Sequence, residues 1–351
     1  IGLRYDLTVP FSKVIGMNKG LILPFKRYEI GKVFRDGPVK LGRAREFYQC
    51  DVDACGTESP YAEIEYFIMV KEAFQKFDID IEIRYNNRKF LSGLLEYCNV
   101  PKERVGEFIT LVDKLDKLER KDIEEELEAC TSKENVDKIF EYFKLDLDEL
   151  TNELKDTNVE LLSEGLKELN DLNKLIKDLN LDICVFKPFL ARGLEIYTGC
   201  VWEVFDRTGK FKSALGGGGR YDNIITKFLH NGEEYPAIGM SFGLEPIYAL
   251  LKEKWSETLK KYDIYVYAFT NDKNLFKISS MLRENGYRVL TELNNIKLKK
   301  AMNTANRENI DKVIIIGEDE LKQNSVTLKD MITGNQELVK IDDLVSRVKE
   351  M

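Results

Sequence analysis

The chain has 351 residues, of which 43% are hydrophobic and 32% are charged, and its formal net charge at pH 7 is -8. This length predicts two or three domains with cores of their own. No apolar run approaches the roughly 18 residues that span a bilayer, and the first residues lack signal-peptide character, which excludes a membrane protein and predicts a soluble, cytoplasmic one. Because the charge balance is negative, a nucleic-acid partner would have to be bound through local basic patches.

The six cysteines are scattered without a CxxC pair, and the chain has a single histidine, His230. Zinc sites need cysteine or histidine ligands clustered at characteristic spacings. We therefore predict reduced thiols and no protein-bound metal.

The first ten residues predict a short segment that enters a helix at Pro10. Arg4, Asp6 and Thr8 alternate onto one side of this segment, and a carboxylate beside a hydroxyl suits an ammonium group. A simpler alternative stays open, in which Asp6 or Thr8 only caps the helix.

Two strand-like runs, 27–34 and 46–54, flank a polar turn and predict a long hairpin with a basic tip. Guanidinium groups bind phosphate oxygens and an aromatic face stacks on a purine, so the hairpin has the outline of a nucleotide site. The side chains suited to that site are Arg35, Arg43, Arg45 and Phe47. A solvated hairpin with a charged turn is the alternative.

Two polar residues of the return strand, Gln49 and Asp53, share a face with Phe47, because alternate residues of a strand point to the same side. An amide and a carboxylate are therefore predicted to line the same surface as the stacking ring.

The stretches that follow predict scaffold. Residues 61–77 carry apolar residues at helical spacing, and we expect Ile64, Phe67 and Ile68 to be buried. Residues 98–180 are rich in Glu, Lys, Asp and Leu in repeated helical patterns and predict a helical insertion. On the sequence of that stretch alone, a solvated helical bundle is the preferred description.

Two later stretches contain glycines in unusual settings. Arg192 and Tyr197 stand on either side of a glycine turn. The four consecutive glycines at 216–219 imply that something approaches the backbone closely, with a plain tight turn as the alternative.

From Tyr262 onward, strand-like runs alternate with helical ones, which predicts a small α/β domain with a largely parallel sheet. Gly286 follows an amphipathic stretch and predicts the end of a helix. A generic nucleotide-binding α/β fold is the competing interpretation, although neither a GxGxxG nor a Walker loop is present.

Four stretches occur in the order LRYDLTVP, FRDGPVKLGRAREFYQCDVDACG, LARGLEIYTG and GGGGRYDN, and together they resemble the histidyl-tRNA synthetases, a family of class II aminoacyl-tRNA synthetases. The resemblance implies an α+β fold with an antiparallel-sheet catalytic domain (1–97 and 181–256), a helical insertion (98–180) and an α/β anticodon-binding domain (261–351). The chain would then start inside the catalytic domain, and we expect it to lack the N-terminal motif 1 segment that builds the dimer in the family.

The resemblance also implies a chemistry. A family member activates histidine with ATP and transfers it to the 3′ end of tRNA(His), works as a homodimer, and uses Mg2+ to neutralise the phosphates. The implied ATP-binding residues are Arg35, Arg43, Arg45, Phe47 and Arg192, with Arg35 and Arg192 as the catalytic pair at the α-phosphate. The implied histidine-binding residues are Asp6, Thr8 and Gln49 at the amino group, Asp53 and Tyr197 at the imidazole ring, and Gly216, Gly217 and Gly218 at the pocket floor.

Three positions depart from the family pattern. Glu195 and Ile196 replace an Asp-Tyr pair, and Pro246 replaces the arginine that follows the glutamate of motif 3. Glu195 keeps the negative charge, whereas Ile196 removes a phenol and Pro246 makes no cation–phosphate contact. Pro246 and Ile196 therefore favour an alternative, a non-catalytic synthetase-like sensor of histidine or tRNA. The complete set of phosphate-binding arginines in the other motifs favours the ligase.

Overall fold

The computed structural model describes residues 2–18, 20–37, 39, 44–116, 118–191, 196–229, 233–255, 260–270 and 273–350. The chain divides into two compact units, Ile1–Glu253 and Lys254–Met351. None of the described helices is long and apolar enough to cross a membrane.

The strands of the first unit are β1 (Phe25–Phe34), β2 (Glu46–Cys55), β3 (Ile81–Asn87), β4 (Cys184–Phe186), β5 (Cys200–Asp206), β6 (Gly216–Arg220) and β7 (Ala237–Gly243). The helices that accompany them are α1 (Thr8–Met17), α2 (Tyr61–Lys76), α3 (Arg88–Tyr97), α4 (Lys102–Val112), α5 (Glu124–Cys130), α6 (Lys133–Tyr142), α7 (Leu147–Leu154), α8 (Glu160–Asp178), α9 (Asp222–Leu229) and α10 (Leu244–Trp255).

These seven strands form one sheet in the order β1-β2-β7-β6-β5-β3-β4. Every neighbouring pair is antiparallel except β3 and β4, so the predicted antiparallel sheet is confirmed. The predicted hairpin is confirmed as well, since β1 and β2 pair from Phe25 opposite Cys55 to Phe34 opposite Glu46. The run of glycines forms β6 in the interior of the sheet, so the tight-turn alternative is wrong.

Helix α2 packs on one face of this sheet. Ile64 and Phe67 are buried as predicted, and the Phe67 ring meets Trp202 of β5 edge-on, with 5.4 Å between ring centroids. The prediction for Ile68 is wrong, because its side chain is 36% exposed. Successive helical residues are about 100° apart, so Ile68 is turned away from the stripe on which Phe67 lies.

The predicted helical insertion is confirmed in α4 to α8, and it shares a hydrophobic core with the sheet rather than forming a solvated bundle. Helix α8 crosses α3 at two glycines. A Cβ at Gly165 would lie 2.1 Å from the backbone nitrogen of Phe90, and a Cβ at Gly93 would lie 2.4 Å from that of Leu162. The two helices are therefore in direct backbone contact, which only glycine permits.

The elements of the second unit are β8 (Ile264–Ala268), α11 (Lys273–Glu284), β9 (Val289–Thr291), α12 (Leu298–Arg307), β10 (Lys312–Ile316), α13 (Glu318–Lys322), β11 (Ser325–Asp330), β12 (Gln336–Lys340) and α14 (Leu344–Glu350). The sheet order is β12-β11-β10-β8-β9, with β9, β8 and β10 parallel and β11 and β12 antiparallel. The predicted α/β unit is confirmed. Gly286 follows α11 at φ +86°, a left-handed conformation that ends the helix as predicted.

Candidate active site

The face of the first sheet opposite α2 carries a row of directly paired positions that crosses four strands. Arg27 of β1 lies opposite Asp53 of β2, Asp53 opposite Gly239 of β7, and Gly239 opposite Gly219 of β6. Residues paired in this way point to the same face. In this row the Arg27–Asp53 pair lies beside two glycines, Gly239 and Gly219, which leave a shallow depression in the sheet surface.

A second row runs parallel to the first, two residues along each strand. It joins Glu29 of β1, Asp51 of β2, Ser241 of β7, Gly217 of β6 and Glu203 of β5. The predicted Asp53 and Gln49 lie on either side of Asp51 on the same face, so the alternation inferred from the sequence agrees with the observed register.

At the two glycines of the first row, Gly239 and Gly219, side chains from other residues contact the sheet backbone. A Cβ at Gly239 would lie 2.1 Å from Asp53 Oδ1, and a Cβ at Gly219 would lie 2.6 Å from the Tyr197 ring. Asp53 and Tyr197, predicted from the resemblance to address one ring, thus stand over neighbouring glycines. This depression is closed to any larger residue at either position.

The three glycines predicted for the floor are placed differently. Gly217 belongs to the second row and shares the face of Asp51, whereas a Cβ at Gly218 would meet the Trp202 side chain at 2.6 Å in the core beneath the sheet. A Cβ at Gly216 would lie 2.9 Å from the carbonyl oxygen of Ser241. Gly219, which contacts Tyr197, was not among the predicted residues, although strand alternation with Gly217 could have indicated it.

Asp53 lies at the bottom of the depression and is only 3% exposed. Its Oδ1 accepts a hydrogen bond from the Tyr221 hydroxyl at 2.5 Å. Its Oδ2 lies 2.9 Å from Arg27 Nη2, an ion pair that lacks hydrogen-bond geometry. Burial raises the pKa of Asp53 to about 7, and the nearby Arg27 cation and the Tyr221 hydroxyl partly oppose this rise.

Sequence reasoning missed Tyr221, Arg27 and Asp51. Tyr221 follows the glycine strand directly and continues the alternation of Gly217 and Gly219, so that pattern could have indicated it. Nothing in the sequence reveals that Arg27 faces Asp53, because their contact depends on the exact register of the hairpin.

Arg35, Phe47 and Gln49 come together at the other end of β2. Arg35 Nη2 donates to Gln49 Oε1 at 3.1 Å, and its guanidinium lies 5.2 Å from the Phe47 ring centroid and 4.6 Å from that of Tyr5. Gln49 Nε2 in turn donates to Asp51 at 3.1 Å, and burial raises the pKa of that carboxyl. The predicted phosphate-binding arginine and stacking ring are thus adjacent and linked to the polar rows.

The segment that carries Asp6 and Thr8 runs beside the hairpin. Asp6 Oδ1 accepts from the backbone nitrogen of Val9 at 3.0 Å, so the helix-capping alternative is observed for this residue. Thr8 begins α1. Asp6 is also close enough to Asp51 to raise the pKa of that carboxyl. One carboxylate therefore caps α1 beside the polar rows.

The remaining predicted residues lie at the tip of the hairpin and beyond it. Arg45 Nε donates to the Gly37 carbonyl at 3.1 Å and the side chain is exposed. Arg43 and Arg192 lie outside the described residues, as does Glu195. The stretch before Arg192 is held by Asn86 of β3, whose amide donates to the carbonyl oxygens of Pro188 and Leu190, each at 2.9 Å.

Pro246 lies in the first turn of α10 and is buried. Its Cγ would be 2.8 Å from a Cβ at Gly243, so the ring packs on the end of β7. The preceding Glu245 accepts from the backbone nitrogen of Tyr48 at 3.2 Å, which ties this turn to β2. The position is filled by an apolar ring that offers no donor to a phosphate.

Among the described residues, no group of three or more histidine, cysteine or carboxylate side chains is arranged to hold a metal ion. All six cysteines are free thiols.

Comparisons with known proteins identify the family of this chain. The family model for histidyl-tRNA synthetase matches residues 1–247, and the model for the anticodon binding domain matches residues 263–351. Histidine--tRNA ligase 1 of Bacillus cereus is 44% identical over 355 residues, covering 98% of this chain and 82% of its own length. Histidine--tRNA ligase 2 of Shouchella clausii is 43% identical over 344 residues, covering 97% and 81% respectively.

A solved structure extends the similarity to three dimensions. The crystal structure of histidyl-tRNA synthetase from Nostoc sp. PCC 7120 superimposes with a TM-score of 0.77 at 28% identity, covering 99% of this chain and 83% of that one. Sequence relatives, family models and fold agree, and the chain belongs to the histidyl-tRNA synthetase family.

Proposed function

We propose that this protein is a histidine–tRNA ligase, which activates histidine with ATP to histidyl-adenylate and transfers the histidyl group to the 3′ end of tRNA(His). Family membership supports the reaction. The observation that carries the proposal is the arrangement along β2, where the Asp53 depression for a polar ring lies on the same face as the Arg35 and Phe47 cluster.

The amino-acid side of the site follows from the polar rows. In the proposal, Asp6, Thr8 and Gln49 hold the α-amino group, since a carboxylate, a hydroxyl and an amide oxygen all accept from an ammonium. Asp53 and Tyr197 address the imidazole ring. Of the three glycines predicted for the pocket floor, Gly217 shares the pocket face, and we propose that it forms the floor beneath the substrate together with Gly219 and Gly239.

The nucleotide side uses positive charge and stacking. Arg35 and Arg192 flank the α-phosphate, Arg43 and Arg45 reach the outer phosphates, and Phe47 stacks on adenine. Both chemical steps are displacement reactions between bound substrates. The protein therefore has to position the reacting groups and neutralise charge, and it needs no covalent nucleophile of its own. Mg2+ enters the proposal as an ion bound to the ATP phosphates, where it neutralises charge.

The main alternative is a non-catalytic sensor. Pro246 favours it, because losing a cation at the phosphates weakens transition-state stabilisation by a few kcal/mol, about 2.7–4 for a single donor. The relatives at 43% and 44% identity, which cover nearly the whole chain, are named as ligases and favour the enzyme.

The proposal also includes a homodimer in the cytoplasm. Strand β1 is an edge strand of the sheet, and apolar side chains on and near it are largely exposed: Ile22 (88%), Tyr28 (76%) and Ile30 (58%). An exposed edge with apolar neighbours is a typical partner surface, and we assign it to a second copy. Free thiols at all six cysteines suit a reducing compartment.

We retain the domain boundaries implied by the resemblance as part of the proposal. The catalytic domain takes residues 1–97 and 181–256, the insertion 98–180 and the anticodon-binding domain 261–351. The division of the chain after Glu253 and the family-model match from residue 263 both support the last boundary.

The decisive experiment is amino-acid-dependent ATP–pyrophosphate exchange with each of the twenty amino acids, on the wild type and on Pro246→Arg. Exchange with histidine alone, followed by charging of tRNA(His), is the expected result. Tight histidine binding without exchange in either protein would overturn the enzyme and favour the sensor. A gain of exchange in Pro246→Arg over wild type would measure what the missing cation contributes.

A further inference from the structure

Arg27 is a buried cation that touches both halves of the proposed histidine pocket. Its side chain is 12% exposed, and its Nη2 lies 2.9 Å from Asp53 Oδ2 and donates to the Leu7 carbonyl at 2.8 Å. Its Nη1 donates to Glu29 at 2.5 Å, and its guanidinium lies 4.6 Å from the Phe11 ring centroid. One side chain thus joins the ring site at Asp53 to the segment that carries Asp6 and Thr8.

The groups in direct contact with this cation are negative or neutral, although Glu29 also pairs with a second cation, Arg4, whose Nη1 lies 3.1 Å from Glu29 Oε1. The titratable and charged groups that face Asp53 or its direct partners are Arg27 and Glu29 of β1, Asp51 of β2, Tyr66 of α2, Tyr221 after β6 and Asp6 before α1. Arg27 is the one cation in this set. Without it, two buried carboxyl groups of the same strand would stand two residues apart with no cation in contact with them among the described residues, which favours their neutral forms.

The ionisation state of Asp53 decides what it can recognise. An ionised carboxylate only accepts hydrogen bonds, whereas a protonated carboxyl presents a donor. With its pKa raised by burial to about 7, Asp53 is near the balance point at neutral pH, and the adjacent cation holds it toward the ionised form.

We infer that Arg27 is a specificity-determining positioning residue of this pocket, which keeps Asp53 an acceptor for a ring N–H and fixes the ring site relative to the amino-group segment. This inference rests on the proposed function, since it names a determinant of the same site. Arg27 acts through Asp53 and the Leu7 carbonyl.

The two parts of this role can be separated by substitution. Lysine keeps the charge but carries its three N–H donors on one compact ammonium, which does not reproduce the planar fork by which the guanidinium spans Asp53, Glu29 and the Leu7 carbonyl. Methionine keeps the contact with Phe11 and removes the charge. Arg27→Lys therefore tests the geometric part, and Arg27→Met tests the electrostatic part.

The test measures kcat/KM for histidine in ATP–pyrophosphate exchange between pH 6 and 9.5. In Arg27→Met we expect kcat/KM to fall about tenfold at pH 7 and to recover toward pH 9. The reason is that the acid limb of the pH–rate profile moves up by about one pH unit or more. In Arg27→Lys we expect a loss that is nearly independent of pH. Lys26→Met is the matched control, since Lys26 is the preceding residue of β1, is exposed and pairs with Glu65.

An equal loss at every pH in Arg27→Met, or an unchanged profile, would overturn the inference, because a merely structural role moves no acid limb. Titration of free histidine is common to all variants and cancels in the comparison. Exchange by the wild type tests the proposed function separately, so the two can fail independently.

A second measurement does not require activity. A carboxyl whose pKa is raised on folding loses its stabilising contribution as the pH rises through the folded pKa. The free energy of unfolding of Arg27→Met, measured by chemical unfolding, should therefore continue to fall up to a higher pH than that of the wild type. In an Asp53→Asn background, the effect of Arg27→Met on stability should depend less on pH, because Asp53 no longer titrates and Asp51 remains as the carboxyl that responds to the lost cation. The same pH dependence in both backgrounds would contradict the inference.

Discussion

The two ends of β2 hold an arginine in opposite ways. Near its start, Arg35 rests between the rings of Tyr5 and Phe47, and no carboxylate pairs with it among the residues that the structure describes. Near its end, Arg27 is buried against Asp53 and Glu29. With no carboxylate partner in the described part of the chain, the first cation suits an incoming phosphate, whereas the second is paired with carboxylates and organises the pocket. The same residue type thus serves recognition at one end and preorganisation at the other.

The largest effect that follows from this contrast is expected at Arg35. Arg35→Gln should lower the rate of histidine-dependent exchange by about 100- to 1,000-fold, since it removes a charge placed for the transition state. Its free energy of unfolding should change by less than about 1 kcal/mol, because the lost contacts are partly exposed. Exchange kinetics and urea unfolding measure the two quantities. A large loss of stability would show that Arg35, like Arg27, has a structural role.

A smaller effect, on stability rather than rate, is expected at Asp53. Because its pKa is about 7 in the folded protein and about 4 when unfolded, the contribution of Asp53 to the stability of the wild type should fall by up to about 4 kcal/mol as the pH rises from 4 to 7. Asp53→Asn removes this contribution, so its stability should fall less over that range. Urea unfolding at several pH values measures the difference between the two curves. Parallel curves would contradict the shifted pKa.

The smallest effect is expected at Phe47. Phe47→Leu should raise KM for ATP about tenfold with kcat little changed, since stacking on a base contributes about 1–3 kcal/mol to binding. Tyr48→Leu is a suitable control, because Tyr48 is the next residue of β2 and points to the other face. An equal change in both variants would locate adenine elsewhere.

The sequence was sufficient for those parts of the fold and site that depend on local pattern. Alternation along one strand placed Phe47, Gln49 and Asp53 on one face, and glycine spacing marked the end of the helix at Gly286. Contacts that depend on how separate segments of the chain pair could not be predicted from the sequence. Arg27 meets Asp53 across the hairpin, and Tyr221, the residue that follows β6, donates to Asp53 although it lies 168 residues further along the chain.

Two predictions failed at single residues, Ile68 and Gly219, because sequence alone did not show which side of the helix or strand each residue faces. Ile68 was taken for a core residue because apolar character alone does not say which side of a helix faces the sheet. Gly219 was left out because a run of identical residues hides its own alternation, and only the observed register separates Gly217 and Gly219 from Gly218.

The backbone contact between α3 and α8 has a consequence for how this chain can vary. Because Gly93 and Gly165 let the helices touch, residues of the insertion complete the core that lies under the catalytic sheet. The insertion is thus not a detachable module, and removing it would uncover apolar side chains such as Phe90 and Leu94. Variation in length should concentrate in its outer helices, while the α3–α8 crossing is inherited with the sheet as one cooperative unit.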